Sequence, residues 1–272
     1  MTARHATIGG VKLAYIEQGS GGPPVFCVHG LTRNKADFDA VIARLAPQRR
    51  VLAVDVVGRG DSDWLPDKTG YGYPTYVAHM LGLLDQLGLD QVDWIGTSMG
   101  GLIGMMVAAQ APARIRRLAV NDIGPFIPKA SLARIAGYMA ADHRWPTIEA
   151  AEQFFRKHSA PFGALTDAQW RHLTETSVLR RDDGFVPAYD PQMADAFKGV
   201  EPADINLWPL WAEIRQPVLV LRGADSDLLL RPTALGMVAR GDVTLREFAG
   251  CGHAPALLAQ DQLDAIERWL LA

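Results

Sequence analysis

Only two cysteines, Cys27 and Cys251, occur in the 272 residues of the chain. They are too few for a disulfide scaffold and lack the spacing of a structural zinc site. Both read as small buried fillers. Long hydrophobic runs are also missing. The longest, around Leu102–Ala109, is far shorter than the about 20 apolar residues that a membrane span requires. The opening stretch, MTARHATIGGVKLAYIEQG, has no apolar block of signal-peptide length, so a cytoplasmic protein off the membrane is expected. Neither sign of charge is in excess: 27 Lys and Arg face 30 Asp and Glu, for a net charge of −3. That balance gives no electrostatic reason to expect nucleic acid or an anionic membrane as a partner. There is no internal repeat and no low-complexity tract. A small-molecule substrate is the expected partner, and oligomeric state is not legible.

What is present is ordinary globular material, 49% hydrophobic and 21% charged, in a length that suits one large α/β domain or a domain carrying an insertion. Short β-branched runs recur at Val11–Ile16, Val25–Val28, Val51–Val54, Val92–Ile95, Leu118–Val120, Val218–Leu221 and Val243–Phe248. Helical patterns lie between several of them. Val77, Met80, Leu81, Leu84 and Leu87 share one helix face, as do Leu263, Ile266 and Leu270. Continuous apolar strands alternating with helices predict a mostly parallel, twisted sheet covered on both faces. The first strands, joined by Gly9-Gly10, predict an antiparallel hairpin at one edge. From about Pro125 to Pro209 the strand signal stops, and helix-like segments are broken by prolines. This stretch reads as a helical insertion.

One serine stands out. In VDWIGTSMGGLIGMM, Ser98 sits between a buried strand and a helix that is apolar on most faces, with Gly96 and Gly100 two residues to either side. A serine at a helix start is ordinarily a cap. A cap, however, does not need glycine on both sides. A very sharp strand-to-helix turn does, because neighbouring Cβ atoms would collide. Such a turn lifts Oγ of Ser98 out of the sheet beside the positive helix end, the arrangement of a nucleophile elbow.

A serine nucleophile needs a base, a carboxylate to steer it, and donors for the developing oxyanion. Among seven histidines, His253 in AGCGHAPALL follows the last strand and precedes the last helix, where such a base belongs. His29-Gly30-Leu31 ends another strand. There the backbone N–H of Leu31 is placed to pair with that of Met99, while His29 orients the loop.

These motifs, His29-Gly30, DVVGRGDSD from Asp55, GTSMGG from Gly96, VLVLRGADSD from Val218 and GCGHAP from Gly250, identify the chain as similar to the α/β-hydrolase fold superfamily over essentially its whole length. The Arg59-Gly60-Asp61 triplet is then a glycine-rich turn after a strand rather than an adhesion signal. The resemblance implies a core of residues 1–124 and 210–272, with a helical cap, residues 125–209, inserted after the sixth strand. It also locates the usual acid three residues past a glycine after the seventh strand. Counted from Gly223, that position is Ser226, flanked by Asp225 and Asp227. Asp122 in LAVNDIGP competes from the end of the preceding strand. Asp122 is preferred, with Asp227 the alternative and Asp225 third.

The expected activity is that of a serine hydrolase, an esterase working through an acyl-enzyme with Ser98, His253 and Asp122, an oxyanion hole from Leu31 and Met99, and no metal or organic cofactor. Carboxylesters, lactones, amides and carbon–carbon bonds all suit this chemistry, as does cofactor-free perhydrolysis. A slow or non-turning-over small-molecule receptor is the alternative outside enzymes. Arg33, Arg144 and Trp145 are the candidate substrate contacts, the arginines for a carboxylate-bearing substrate.

Overall fold

The computed structural model describes residues 2–199 and 201–272. The central sheet contains Arg4–Ile8 (β1), Val11–Gln18 (β2), Val25–Val28 (β3), Val51–Val54 (β4), Val92–Thr97 (β5), Ile115–Asn121 (β6), Val218–Gly223 (β7) and Val243–Phe248 (β8). Their spatial order is β1-β2-β4-β3-β5-β6-β7-β8. β1 and β2 form the antiparallel edge hairpin, and β2 is also antiparallel to β4. All pairings from β4 to β8 are parallel. Gly9 and Gly10 turn the hairpin with φ of 59° and 83°, the pair of positive values that a tight hairpin turn demands.

Side chains alternate across the sheet and so feed two cores. Phe26 and Val28, Leu52 and Val54, and Leu118 and Val120 point to one side. Tyr73–Gln86 (α2), Met99–Gln110 (α3), Trp208–Glu213 (α7) and Arg231–Val238 (α8) cover that face. Val25 and Cys27, Val51 and Ala53, Leu219 and Leu221 point to the other, under Asp39–Leu45 (α1) and Gln260–Leu271 (α9). All four residues of β3 are fully buried, and each Val or Phe so placed is worth about 1.5–3 kcal/mol of transfer free energy. Both faces of these strands are apolar because both are covered. In α2 the buried stripe runs through Tyr76, Val77, Met80, Leu83 and Leu84, while Leu81 and Leu87 lie at its margin. Among the described residues no helix is long and apolar enough to cross a membrane.

Between β6 and β7 the chain leaves the sheet and builds Lys129–Ala140 (α4), Ile148–His158 (α5) and Asp167–Ser177 (α6). Thr147 caps α5, and Thr166 with Gln169 forms a reciprocal capping box on α6. Trp145, Ala151, Phe155, Trp170 and Leu173 give this region its own small core. The segment is not wholly helical: Val178–Arg181 pairs antiparallel with Gly184–Pro187. These strands are short, and their polar turn, Asp182-Asp183, masks any alternation; Gly184, at φ 133°, supplies a backbone shape few other residues adopt. The segment is fastened to the sheet domain on two sides. Asn34 Nδ2 donates to Thr176 O at 2.7 Å, and Gly60 N donates to Ala188 O at 2.9 Å.

Candidate active site

The turn between β5 and α3 holds Ser98 at φ 50° and ψ −111°, a strained conformation for a residue with a Cβ, costing on the order of 1–3 kcal/mol. The neighbours make room for it. A Cβ on Gly100 would stand 2.0 Å from Val28 O, and one on Gly96 would stand 2.3 Å from the Gly100 carbonyl carbon. Ser98 N donates to Asn121 O at 2.9 Å, tying the turn to β6. Although Ser98 occupies the N-cap position of α3, its side chain makes no capping bond. Its hydroxyl faces His253 instead, with Oγ 3.0 Å from Nε2.

The loop after β8 carries His253, whose Nδ1 lies 2.8 Å from Asp122 Oδ2. An Nδ1–H donating to the carboxylate leaves the Nε2 lone pair to accept from Ser98. Asp122, fully buried at the end of β6, adopts φ 57°, a left-handed conformation that Asp tolerates better than most residues. Its Oδ1 accepts from Gly223 N at 2.9 Å and its Oδ2 from Ser226 Oγ at 2.5 Å. Asp227 points elsewhere: both of its carboxylate oxygens bind Arg134, at 2.8 and 2.9 Å, on the exposed surface. Asp225 is likewise exposed. The one position in this loop that faces His253's carboxylate partner is Ser226, which sequence reasoning treated only as a gap in a pattern. Asn121 was also missed. Its Nδ2 donates to Pro255 O at 2.8 Å and so pins the His253 loop; nothing in the sequence around it signals that role.

The turn after β3 is built on a buried, neutral histidine. His29 donates from Nδ1 to Gly30 O at 2.7 Å and accepts at Nε2 from Val56 N at 3.0 Å. Burial, chiefly, with the nearby cations Arg59, Arg33 and Lys35, pushes its pKa down to about 3. A Cβ on Gly30 would be 3.8 Å from Ser98 Cβ, so this turn passes close over Ser98. Neither the Leu31 nor the Met99 amide donates to another backbone carbonyl among the described residues. Met99 opens α3, where backbone N–H groups have no intrahelical partner. An oxyanion formed on Ser98 would have these donors and the helix end to meet it.

Of the candidate substrate contacts, Arg33 is brought beside the site and the other two are not. The Arg33 stem would lie 3.7 Å from a Gly30 Cβ, but its guanidinium is held by Asp37 at 3.1 Å and by Ser177 of the inserted segment. Its charge is therefore spent on an internal ion pair. Arg144 is half exposed and pairs with Asp183 at 2.5 Å, and it lines a cleft of about 1310 Å³ with Arg180, Arg181 and Tyr189. Trp145 is 7% exposed because it fills the inserted segment's core, stacked on His143. A smaller cavity of about 50 Å³ lies between Arg33, Thr97, Phe162 and Ala254. Among the described residues no three His, Cys, Asp or Glu side chains converge as metal ligands would.

A parallel sheet with a glycine-flanked serine elbow, a histidine loop and a buried aspartate at its strand ends defines the hydrolase class of α/β proteins. The family described as alpha/beta hydrolase fold matches residues 23–259, and the chain belongs to it. The chain is 41% identical to a 3-hydroxybutyrate-oligomer hydrolase of Cupriavidus necator, over 93% of this chain and 90% of that protein. It is 29% identical to a 2-(acetamidomethylene)succinate hydrolase of Mesorhizobium japonicum, over 88% of this chain and 83% of that one. The crystal structure of an alpha/beta hydrolase from Novosphingobium aromaticivorans superimposes with a TM-score of 0.91 at 34% identity, covering 99% of this chain and 98% of the other.

Proposed function

We propose that this chain is a serine esterase that cleaves the ester bonds of short, carboxylate-ended 3-hydroxy-acid oligomers through an acyl-enzyme. The observation that carries the serine chemistry is the file of Asp122, His253 and Ser98, linked at 2.8 and 3.0 Å. His253 Nε2 takes the Ser98 proton as Oγ attacks the ester carbonyl carbon. The carbonyl oxygen becomes an oxyanion that the Leu31 and Met99 amides receive. As the tetrahedral intermediate collapses, the C–O bond breaks and His253 returns its proton to the departing alkoxide. Water, deprotonated by the same imidazole, then hydrolyses the acyl-Ser98 ester, and the proton returns to Oγ. Asp122 holds the imidazole in the required tautomer and offsets its transient positive charge.

The substrate class rests on the likeness, over nearly the full length of both chains, to the Cupriavidus necator oligomer hydrolase. The test is direct. Purified protein is incubated with the 3-hydroxybutyrate dimer and trimer as free acids and as methyl esters, and monomer release is followed over many turnovers. The reading expects sustained release and none from Ser98→Ala. A single stoichiometric burst, or an active Ser98→Ala protein, would sink the serine-esterase reading. Turnover of simple activated esters with none of the oligomers would sink the substrate class alone.

A further inference from the structure

Arginine is almost never fully buried unless an acid accompanies it. In this chain Arg33, Arg49 and Arg222 obey that rule: each is largely buried and paired, with Asp37, Asp93 and Glu247. Arg59 does not. It is 0% exposed, and among the described residues it forms no ion pair. The positive φ values of Gly58 and Gly60, 85° and 53°, fold the glycine-rich turn after β4 so that this side chain goes inward.

Its partners are specific. Arg59 Nε donates to Leu31 O at 2.9 Å, Nη1 to Val57 O at 2.8 Å, and Nη2 to Met99 Sδ at 3.4 Å. Its guanidinium carbon lies 4.9 Å from the centre of the Tyr76 ring and 6.0 Å from that of Tyr71. One buried cation thus touches both residues whose amides are proposed to receive the oxyanion, and its direct partners are carbonyl dipoles, a thioether and ring faces.

We propose that Arg59 is a positioning residue of the oxyanion hole: its fork locks the Leu31 turn against Met99 of α3, and its unpaired charge favours negative charge between their amides. This rests on the reading of Leu31 and Met99 as oxyanion donors. Holding the Leu31 carbonyl fixes the backbone on which the Leu31 N–H rides, and preorganised donors stabilise a developing charge without reorganising at the moment of reaction. In a site excluded from water, a cation with no direct ion pair acts on such a charge with little screening.

The experiment measures kcat, KM and inhibition by butylboronic acid for the wild type, Arg59→Gln, Arg59→Lys and Ser98→Ala, with thermal unfolding to verify folding. Ser98 Oγ adds to boron, its proton passes to His253, and the tetrahedral adduct carries a negative charge as the transition state does. A lost oxyanion donor costs on the order of 100–1,000-fold, so a residue acting through the donors is expected to cost about 10–100-fold. Arg59→Gln should lower kcat by that factor with KM changed less than about threefold, and should weaken boronate inhibition in the same ratio. Arg59→Lys, keeping the charge without the fork, should lose about 3–10-fold in both. A folded Arg59→Gln protein within about threefold of the wild type in kcat and boronate affinity, beside an inactive Ser98→Ala, overturns the inference alone. So does a fall in kcat with boronate affinity intact, or a rise confined to KM. If Arg59→Gln does not fold, wild-type values for Arg59→Lys in both readouts overturn it. An active Ser98→Ala would remove the serine mechanism itself, and the inference with it.

Discussion

Ser226 Oγ donates to Asp122 Oδ2 across 2.5 Å, joining the loop after β7 to the end of β6. The same oxygen accepts from the amides of Leu228 and Leu229 at 3.2 and 3.1 Å. Ser226→Ala should therefore destabilise the fold by about 1–3 kcal/mol, since two buried amides lose their acceptor. It should also lower kcat by about 3–10-fold, as a charge-assisted bond that orients the carboxylate is lost. Urea unfolding and steady-state kinetics check the two effects separately.

The positions of the two aspartates give opposite expectations for the same substitution. Asp122→Asn replaces the buried acceptor of His253 Nδ1 and should reduce kcat by about 1,000–10,000-fold by favouring the wrong tautomer. Asp227→Asn removes only an exposed pair with Arg134. It should leave kcat within about twofold and change stability by less than ~1 kcal/mol. Moving the acid into the second loop, as Asp122→Asn with Ser226→Asp, should recover about tenfold or more of the Asp122→Asn loss, because both loops reach one imidazole. No recovery in a folded double variant would show that only the β6 position can steer His253.

Glycines at the elbow and in the inserted segment should respond in opposite directions. A Cβ at Gly100 would meet Val28 O at 2.0 Å, and both the helix start and the strand end around it are buried. Gly100→Ala should destabilise by about 3 kcal/mol or more. Gly137, inside α4, would place its Cβ in open space. Gly137→Ala should stabilise by about 0.5–1 kcal/mol through helix propensity. Chemical denaturation of both variants measures the contrast.

His29 predicts an acid-sensitive turn. Its pKa lies at about 3 in the folded protein against 6.5 as a free side chain, mainly because burial disfavours the charged ring. Between those values the unfolded chain binds one more proton than the folded one, so stability is fully present above about pH 6.5 and falls as pH drops toward 3. The slope contributed approaches ~1.4 kcal/mol per pH unit. His29→Gln should unfold more readily at neutral pH yet show a shallower loss on acidification, which denaturant melts at stepped pH resolve.

The sequence alone determined the alternation of buried strands and helices, because burial on both faces demands unbroken apolar runs at Val25–Val28 or Val51–Val54. It determined the sharp turn at Ser98 as well, since only flanking glycines permit it. The short hairpin at Val178–Pro187 escaped, being too polar and too brief to alternate. Tertiary structure alone shows that Asp122, and not Asp227, meets His253: both follow strands whose ends converge, and only the side-chain directions separate a buried acceptor from a surface ion pair. It alone withdrew Arg144 and Trp145 from the site, because an arginine's partner and a tryptophan's depth are long-range properties. Arg59 makes the same point. A charged letter between two glycines reads only as a glycine-rich turn until the backbone is seen to fold it inward.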